Sequence, residues 1–223
     1  MQNRISFLLV FCVFCVATAS AQFEGQSNFS RFNFNAGGGW GAGRGDVGSF
    51  VGTSYQGVAG AGMNFSRMFG FNAEYMYYGL GIRQSVSETQ SLNNTSGSLN
   101  AVTLNGIVNA PLHSRWGAYG IFGVGFYRRS VSSSTGPLAT GSLCQPSWVW
   151  WDVACSGIPP VTLPGQTLGT LSKDAGGFNF GGGLTYRLNH LHHAKIYFEG
   201  RYHRAYTSDV ETAVMPFTFG LRW

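Results

Sequence analysis

Met215-Pro216-Phe217-Thr218-Phe219-Gly220-Leu221-Arg222-Trp223 closes the sequence. In it Met215, Phe217, Phe219, Leu221 and Trp223 alternate with Pro216, Thr218, Gly220 and Arg222. Successive side chains on a strand point to opposite faces, so this segment reads as a strand with one apolar face and one small or polar face. A soluble domain seldom finishes on such a strand without a polar tail. The pattern predicts a wall that faces lipid.

Working back from that segment, the same period-2 alternation recurs over residues 32–40, 55–65, 71–78, 102–110, 116–126, 178–187 and 195–203. In residues 71–78, for example, Phe71, Ala73, Tyr75 and Tyr77 oppose Asn72, Glu74, Met76 and Tyr78. Eight such segments predict an all-β chain, an eight-stranded antiparallel transmembrane up-and-down β-barrel. The connections alternate as well. Residues 66–70, 111–115 and 189–194 are short turns, whereas 41–54, 81–100 and 131–175 are long loops and 207–213 is a shorter one. Short periplasmic turns and longer outer loops are the asymmetry expected of such a barrel. Pro137, Pro146, Pro159, Pro160 and Pro164 all fall in the third outer loop; proline cannot donate to a ladder, so that segment is not wall.

Arg4, the apolar run over residues 5–16 and Ala19-Ser20-Ala21 read as a signal peptide over residues 1–21, leaving residues 22–223 as one barrel domain. Cys12 and Cys15 lie inside that run, after Phe11 and Phe14, where a lipid anchor wants a small residue. No lipid anchor is therefore expected. No later run is long and apolar enough for a spanning helix. The net charge of +5 is weak and the sequence has no Lys/Arg run, which argues against nucleic acid as a partner. Cys144 and Cys155 remain in the exported chain, and one disulfide is the simplest reading, worth at most roughly 3 kcal/mol by chain entropy. No metal-ligand set surrounds them, and no metal or cofactor is expected.

The pattern resembles the small eight-stranded outer-membrane barrels of the OmpA and OmpX type, within the outer-membrane protein β-barrel domain group. The carrying features are the leader, the strand-turn-strand from Met63 through Phe65-Ser66-Arg67-Met68-Phe69 to Tyr75, the Lys195-Ile196-Tyr197-Phe198-Glu199-Gly200-Arg201-Tyr202 segment and the Phe219-Gly220-Leu221-Arg222-Trp223 ending. The resemblance implies the outer membrane of a Gram-negative bacterium, contact with outer-membrane lipid and a monomer. It also implies that Phe219, Leu221 and Trp223 form the signal read by the barrel-assembly machinery.

Several residues invite a chemical reading. Glu74, Arg187, Lys195, Glu199, Arg201, His203 and Arg222 fall on the inward face. An eight-stranded barrel is just wide enough for side chains to fill, and charges inside must be paired or wetted. Glu74 and Glu199 are expected to pair with Arg201, Arg187 or Arg222, as an ionic plug or as the gate of a narrow conduit. His203, Ser208 and Glu211 could be drawn as a triad, but the Ser-Asn pair that follows the histidine in lipid A deacylases is missing. Trp148, Trp150 and Trp151 lie between the two cysteines. They read either as a surface-recognition loop for an extracellular ligand or as rings packed on the loop or at the lipid interface. Arg44-Gly45-Asp46 reads as turn chemistry. The glycine runs at 37–39 and 181–183 read as relief of strand crowding rather than a phosphate loop. His190, His192 and His193 read as solvated turn residues before a metal site.

The function expected is therefore a non-enzymatic outer-membrane barrel with a structural or surface-interaction role through its outer loops. A narrow pore for small solutes is the alternative, a lipid A-modifying enzyme a further one, and a soluble β-sandwich the reading from outside the membrane.

Overall fold

A computed structural model of the chain describes residues 30–45, 47–81, 94–112, 115–134, 140–141, 144–146, 153–155, 161–162, 167–188, 194–207 and 211–223. Eight strands form the wall: β1 (Phe32–Arg44), β2 (Thr53–Asn64), β3 (Phe69–Leu80), β4 (Asn94–Pro111), β5 (Trp116–Ser134), β6 (Thr167–Arg187), β7 (Lys195–Ala205) and β8 (Thr212–Arg222). Each pairs antiparallel with its chain neighbours, and β1 pairs with β8 to close the barrel. The seam continues to the last residue. The Phe34 N–H donates to the Trp223 carbonyl at 2.8 Å, and the Trp223 N–H donates to the Phe34 carbonyl at 3.0 Å.

The side-chain alternation follows the sequence. Trp40, Tyr55, Phe122, Val124, Phe180 and Phe219 stand exposed on the outer wall, while Gln56, Asn72, Glu74, Asn105 and Glu199 are buried inside. An exposed apolar surface running round a closed barrel calls for lipid. That arrangement excludes the β-sandwich, which would bury those rings between two sheets.

Three strands run far past the alternating segments read from the sequence. β4, β5 and β6 have 18, 19 and 21 residues, against 11 in each of β7 and β8. A tilted strand crosses a bilayer in about 9–11 residues, so the long three project well beyond it at the end opposite the termini. The second and third outer loops are correspondingly shorter than residues 81–100 and 131–175. Their Ser-rich flanks (Ser130, Ser132 and Ser172 among them) read as loop because their alternation carries no apolar partner, yet the register continues through Ser130↔Ser172.

The first outer loop is also not simply a loop. Gly45, at φ 57°, turns the chain into one helical turn, Val47–Phe50. Val47 and Val51 are fully buried, inside the barrel mouth against Met76, Tyr78, Leu99, Tyr127 and Val214. The Gly52 N–H fixes the return by donating to the Gly81 carbonyl at 2.8 Å. On the neighbouring strand β8, Pro216, opposite Gly41, has no N–H to give. The β7–β8 ladder is interrupted there, between Gly200↔Phe217 and His203↔Val214.

The leader over residues 1–21 and the residues Trp148, Trp150, Trp151, Ser208, His190, His192 and His193 lie outside the described residues. Within the third outer loop, Cys144–Pro146 and Val153–Cys155 pair as a short ladder with Cys144 directly opposite Cys155. Facing residues of an antiparallel ladder have Cα atoms about 4.5–5.5 Å apart, inside the span a disulfide bridges. Exported protein prepared without reductant should resist thiol alkylation at both positions and accept two labels after reduction. Labelling without reductant would refute the cross-link.

Candidate functional site

Among the described residues, oppositely charged side chains converge in mid-lumen. Arg201, on β7, lies between two carboxylates. Its Nη1 donates to Glu74 Oε2 at 2.6 Å, and its Nε donates to Glu199 Oε1 at 2.9 Å. All three side chains are almost wholly buried. Glu74 reaches Arg201 from β3 across the lumen, and Glu199 sits two residues before it, on the same inward face. Two carboxylates against one guanidinium leave a surplus negative charge. Arg222 of β8 offsets it, with Nη2 4.0 Å from Glu199 Oε2 and the guanidinium carbon 4.2 Å from the Tyr119 ring centroid. A buried charge left unmatched is costly, so this balance is what lets the group sit inside.

The remaining carboxylate oxygens are met by amides and hydroxyls. Asn35 Nδ2 donates to Glu74 Oε1 at 2.7 Å, Asn105 Nδ2 to Glu74 Oε2 at 2.9 Å, and the Tyr119 hydroxyl to Glu199 Oε2 at 2.8 Å. An asparagine chain extends the network: Asn179 donates to Asn105 at 3.0 Å, Asn105 to Asn72 at 3.2 Å and Asn72 to Asn35 at 3.0 Å. These amides occupy inward-facing positions of β1, β3, β4 and β6. Their parity was readable in the sequence; their meeting was not.

They meet because glycines separate them. Tyr119 and Glu199 both face Gly183 across the ladder, and Asn105 and Asn179 both face Gly123. Gly60 lies likewise between Asn35 and Glu74, and Gly39 between Gln56 and Thr218, whose side chains bond at 2.6 Å. A Cβ at Gly183 would come within 2.7 Å of the Tyr119 hydroxyl. An inward glycine thus lets the side chains of its two flanking strands join over it. The runs at 37–39 and 181–183 supply two of these four positions.

The other expected site residues divide by depth. Arg187 was expected among the lumen partners of the glutamates, but it is exposed at the rim, and Lys195 is half-buried near it. Neither forms an ion pair among the described residues. Parity gave Arg187 the right face of β6, but it lies at the last position of that strand, below the carboxylates. His203 is buried with Nδ1 3.1 Å from the Tyr127 hydroxyl, whereas Glu211 is exposed and pairs with Arg204. The two lie on opposite sides of the wall, so they do not assemble a triad. Phe219, Leu221 and Trp223 all face outward.

Comparison with known proteins gives a consistent picture. Residues 6–223 match the family described as outer membrane protein beta-barrel domain. Among solved structures, neisserial surface protein A aligns with a TM-score of 0.55 at 14% identity, covering 89% of this chain and 98% of that one. A major outer membrane protein from Thermus thermophilus aligns with a TM-score of 0.55 at 12% identity, covering 87% and 99%. At such identities the likeness is one of fold. No curated protein matches the sequence.

Arg201→Met removes the cation shared by Glu74 and Glu199. It should cost about 3–5 kcal/mol in urea unfolding of the refolded barrel. Adding Glu74→Gln to that variant should recover part of the loss, and a change in the single variant below about 1 kcal/mol would show that the group is not held as a unit.

Proposed function

This chain belongs to the outer membrane protein beta-barrel domain family, and from that premise we propose that it is a non-enzymatic barrel of the Gram-negative outer membrane, closed along its axis and recognising extracellular ligands at its outer end. The observation that carries the closure is the filled lumen. Val47 and Val51 occupy the outer mouth, and the Glu74–Arg201–Glu199 group with its asparagines crosses the middle. Ile107, Tyr119, Ile121 and Tyr197 pack nearer the periplasmic end. The two glutamates take their hydrogen bonds from Arg201, Asn35, Asn105 and Tyr119 rather than from a water-filled path. This favours an ionic plug over the narrow pore.

Specificity then falls to the outer end, where β4, β5 and β6 stand above the bilayer and support the third loop. Trp148, Trp150 and Trp151 are the residues in that loop best suited to anchor an extracellular ligand. The separation of His203 from Glu211 counts against a lipid A-modifying activity. The outward row of Phe219, Leu221 and Trp223 serves as the address for the barrel-assembly machinery, in keeping with its place on the closing strand.

Two measurements test this reading. Purified protein in planar bilayers should give no steady single-channel current; a reproducible, salt-dependent conductance would replace the plug with a pore. Protease added to intact cells should cut only within residues 131–175. Fragments beginning in residues 189–194 would reverse the orientation.

A further inference from the structure

The fold sorts charge along the barrel axis in a way the linear sequence hides. Arg31, Arg67, Arg115, Arg187 and Lys195 gather at the end that carries the short turns, the four arginines exposed and Lys195 half-buried. Backbone contacts hold them in two groups. The Asn64 N–H donates to the Arg31 carbonyl at 2.7 Å, which ties Arg31 to the turn bearing Arg67. The Arg187 N–H donates to the Arg115 carbonyl at 2.9 Å, and Lys195 is the cross-strand partner of Arg187. Among the described residues no Asp or Glu side chain lies at this end. Glu74 and Glu199 are enclosed in mid-lumen, while Asp174 and Glu211 pair with Arg128 and Arg204 toward the opposite end. The outer end mixes those two acids with Arg44, Arg128, Arg129, Lys173 and Arg204, whereas the described periplasmic end presents cationic side chains alone.

The cations also stand at a defined depth. Arg67 lies in a turn with Phe65, Met68 and Phe69, which are 72%, 51% and 53% exposed. Arg31 precedes the exposed Phe32. Arg115 precedes Trp116, whose ring packs on Tyr186 with centroids 5.0 Å apart, and its Nη1 reaches toward the Tyr186 hydroxyl at 3.5 Å. Aromatic rings on the outside of a barrel mark the level of the lipid headgroups. A guanidinium beside such a ring is therefore at phosphate height, and its planar donor fork suits a phosphate.

We propose that this basic rim is a binding collar for anionic phospholipid, in which Arg31, Arg67 and Arg115 hold the phosphodiester headgroups of the inner leaflet, while Arg187 and Lys195, on the lumen side of the rim, add to its positive potential. The inference rests on the orientation given above, with the short turns on the periplasmic side, but not on the closure of the lumen. It is read in retained lipid, so its failure is distinct from the appearance of a conductance.

The test uses the full barrel refolded into nanodiscs of equal parts phosphatidylcholine and phosphatidylglycerol. Protein is released into neutral detergent, and retained lipids are identified by native mass spectrometry. Each cation near an anionic surface is worth about fivefold in association. Phosphatidylglycerol should accordingly be enriched at least tenfold over phosphatidylcholine. The enrichment should collapse in the triple variant Arg31→Gln, Arg67→Gln, Arg115→Gln, with folding verified by heat-modifiable migration. It should persist in the outer-end control Arg128→Gln, Asp174→Asn. Raised salt should weaken it in the unaltered protein, a readout that needs no variant. Equal retention of the two lipids, or enrichment that survives both the triple variant and high salt, would overturn the collar. So would rim-dependent binding to isolated peptidoglycan without any lipid preference.

Discussion

Arg201 is the side chain on which the interior depends. A barrel of eight strands has room inside for side chains and little else. Whatever polar groups the strands turn inward must therefore satisfy one another. Glu74 and Glu199 could not be buried alone, and Arg201 alone could not balance both. The four-part arrangement with Arg222 brings the charge to zero, and the amides of Asn35 and Asn105 and the hydroxyl of Tyr119 take up the remaining lone pairs. Above this layer Val47 and Val51 enter the mouth from the first outer loop, where they pack with Met76, Tyr78 and Leu99 while buried Arg129 donates to Thr212 at 2.9 Å.

The wall was legible in the sequence because a strand writes its two faces in alternate residues. All eight wall strands follow that alternation, and the terminal segment shows it plainly. The plug was harder to read. Val47 and Val51 sit in a Gly-rich stretch with no period of its own, and only the barrel mouth gives them something to pack on. The contacts between Asn105 and Asn179, or Tyr119 and Glu199, depend on the stagger between strands that are not adjacent, and one strand's sequence carries no record of that stagger. Arg187 exposes a related limit: parity reports which face a residue occupies, while its depth along the axis decides whether it meets a carboxylate or water. The basic rim escaped notice for the opposite reason. Its members are scattered singly from residue 31 to residue 195, and only the antiparallel winding returns them to one end.

The outer end has its own asymmetry. β4, β5 and β6 rise above the bilayer, whereas β7 and β8 stop near its edge. The mouth is therefore bounded by a tall sheet on one side and a low edge on the other. A ligand approaching from the low side meets the first-loop turn, and one approaching from the tall side meets a hydroxyl-rich sheet in which Ser130 and Ser172 lie 3.0 Å apart. The third loop springs from that tall side, so a ligand bound there would be held off the lipid surface and to one side of the axis.

The glycine bridges bear on how the barrel comes together. Tyr119 reaches Glu199 over β6, Asn105 reaches Asn179 over β5, Asn35 reaches Glu74 over β2, and Gln56 reaches Thr218 over β1. Each of these bonds needs three strands in register, so none can form within a lone hairpin. The last of them, together with the Phe34–Trp223 seam, waits for the first and eighth strands to join. A partly inserted chain thus holds its interior polar groups unmet in a medium that cannot hydrate them. Part of the reward arrives with each third strand, and the remainder only when the first strand meets the eighth, so closure in space is also the last gain in time.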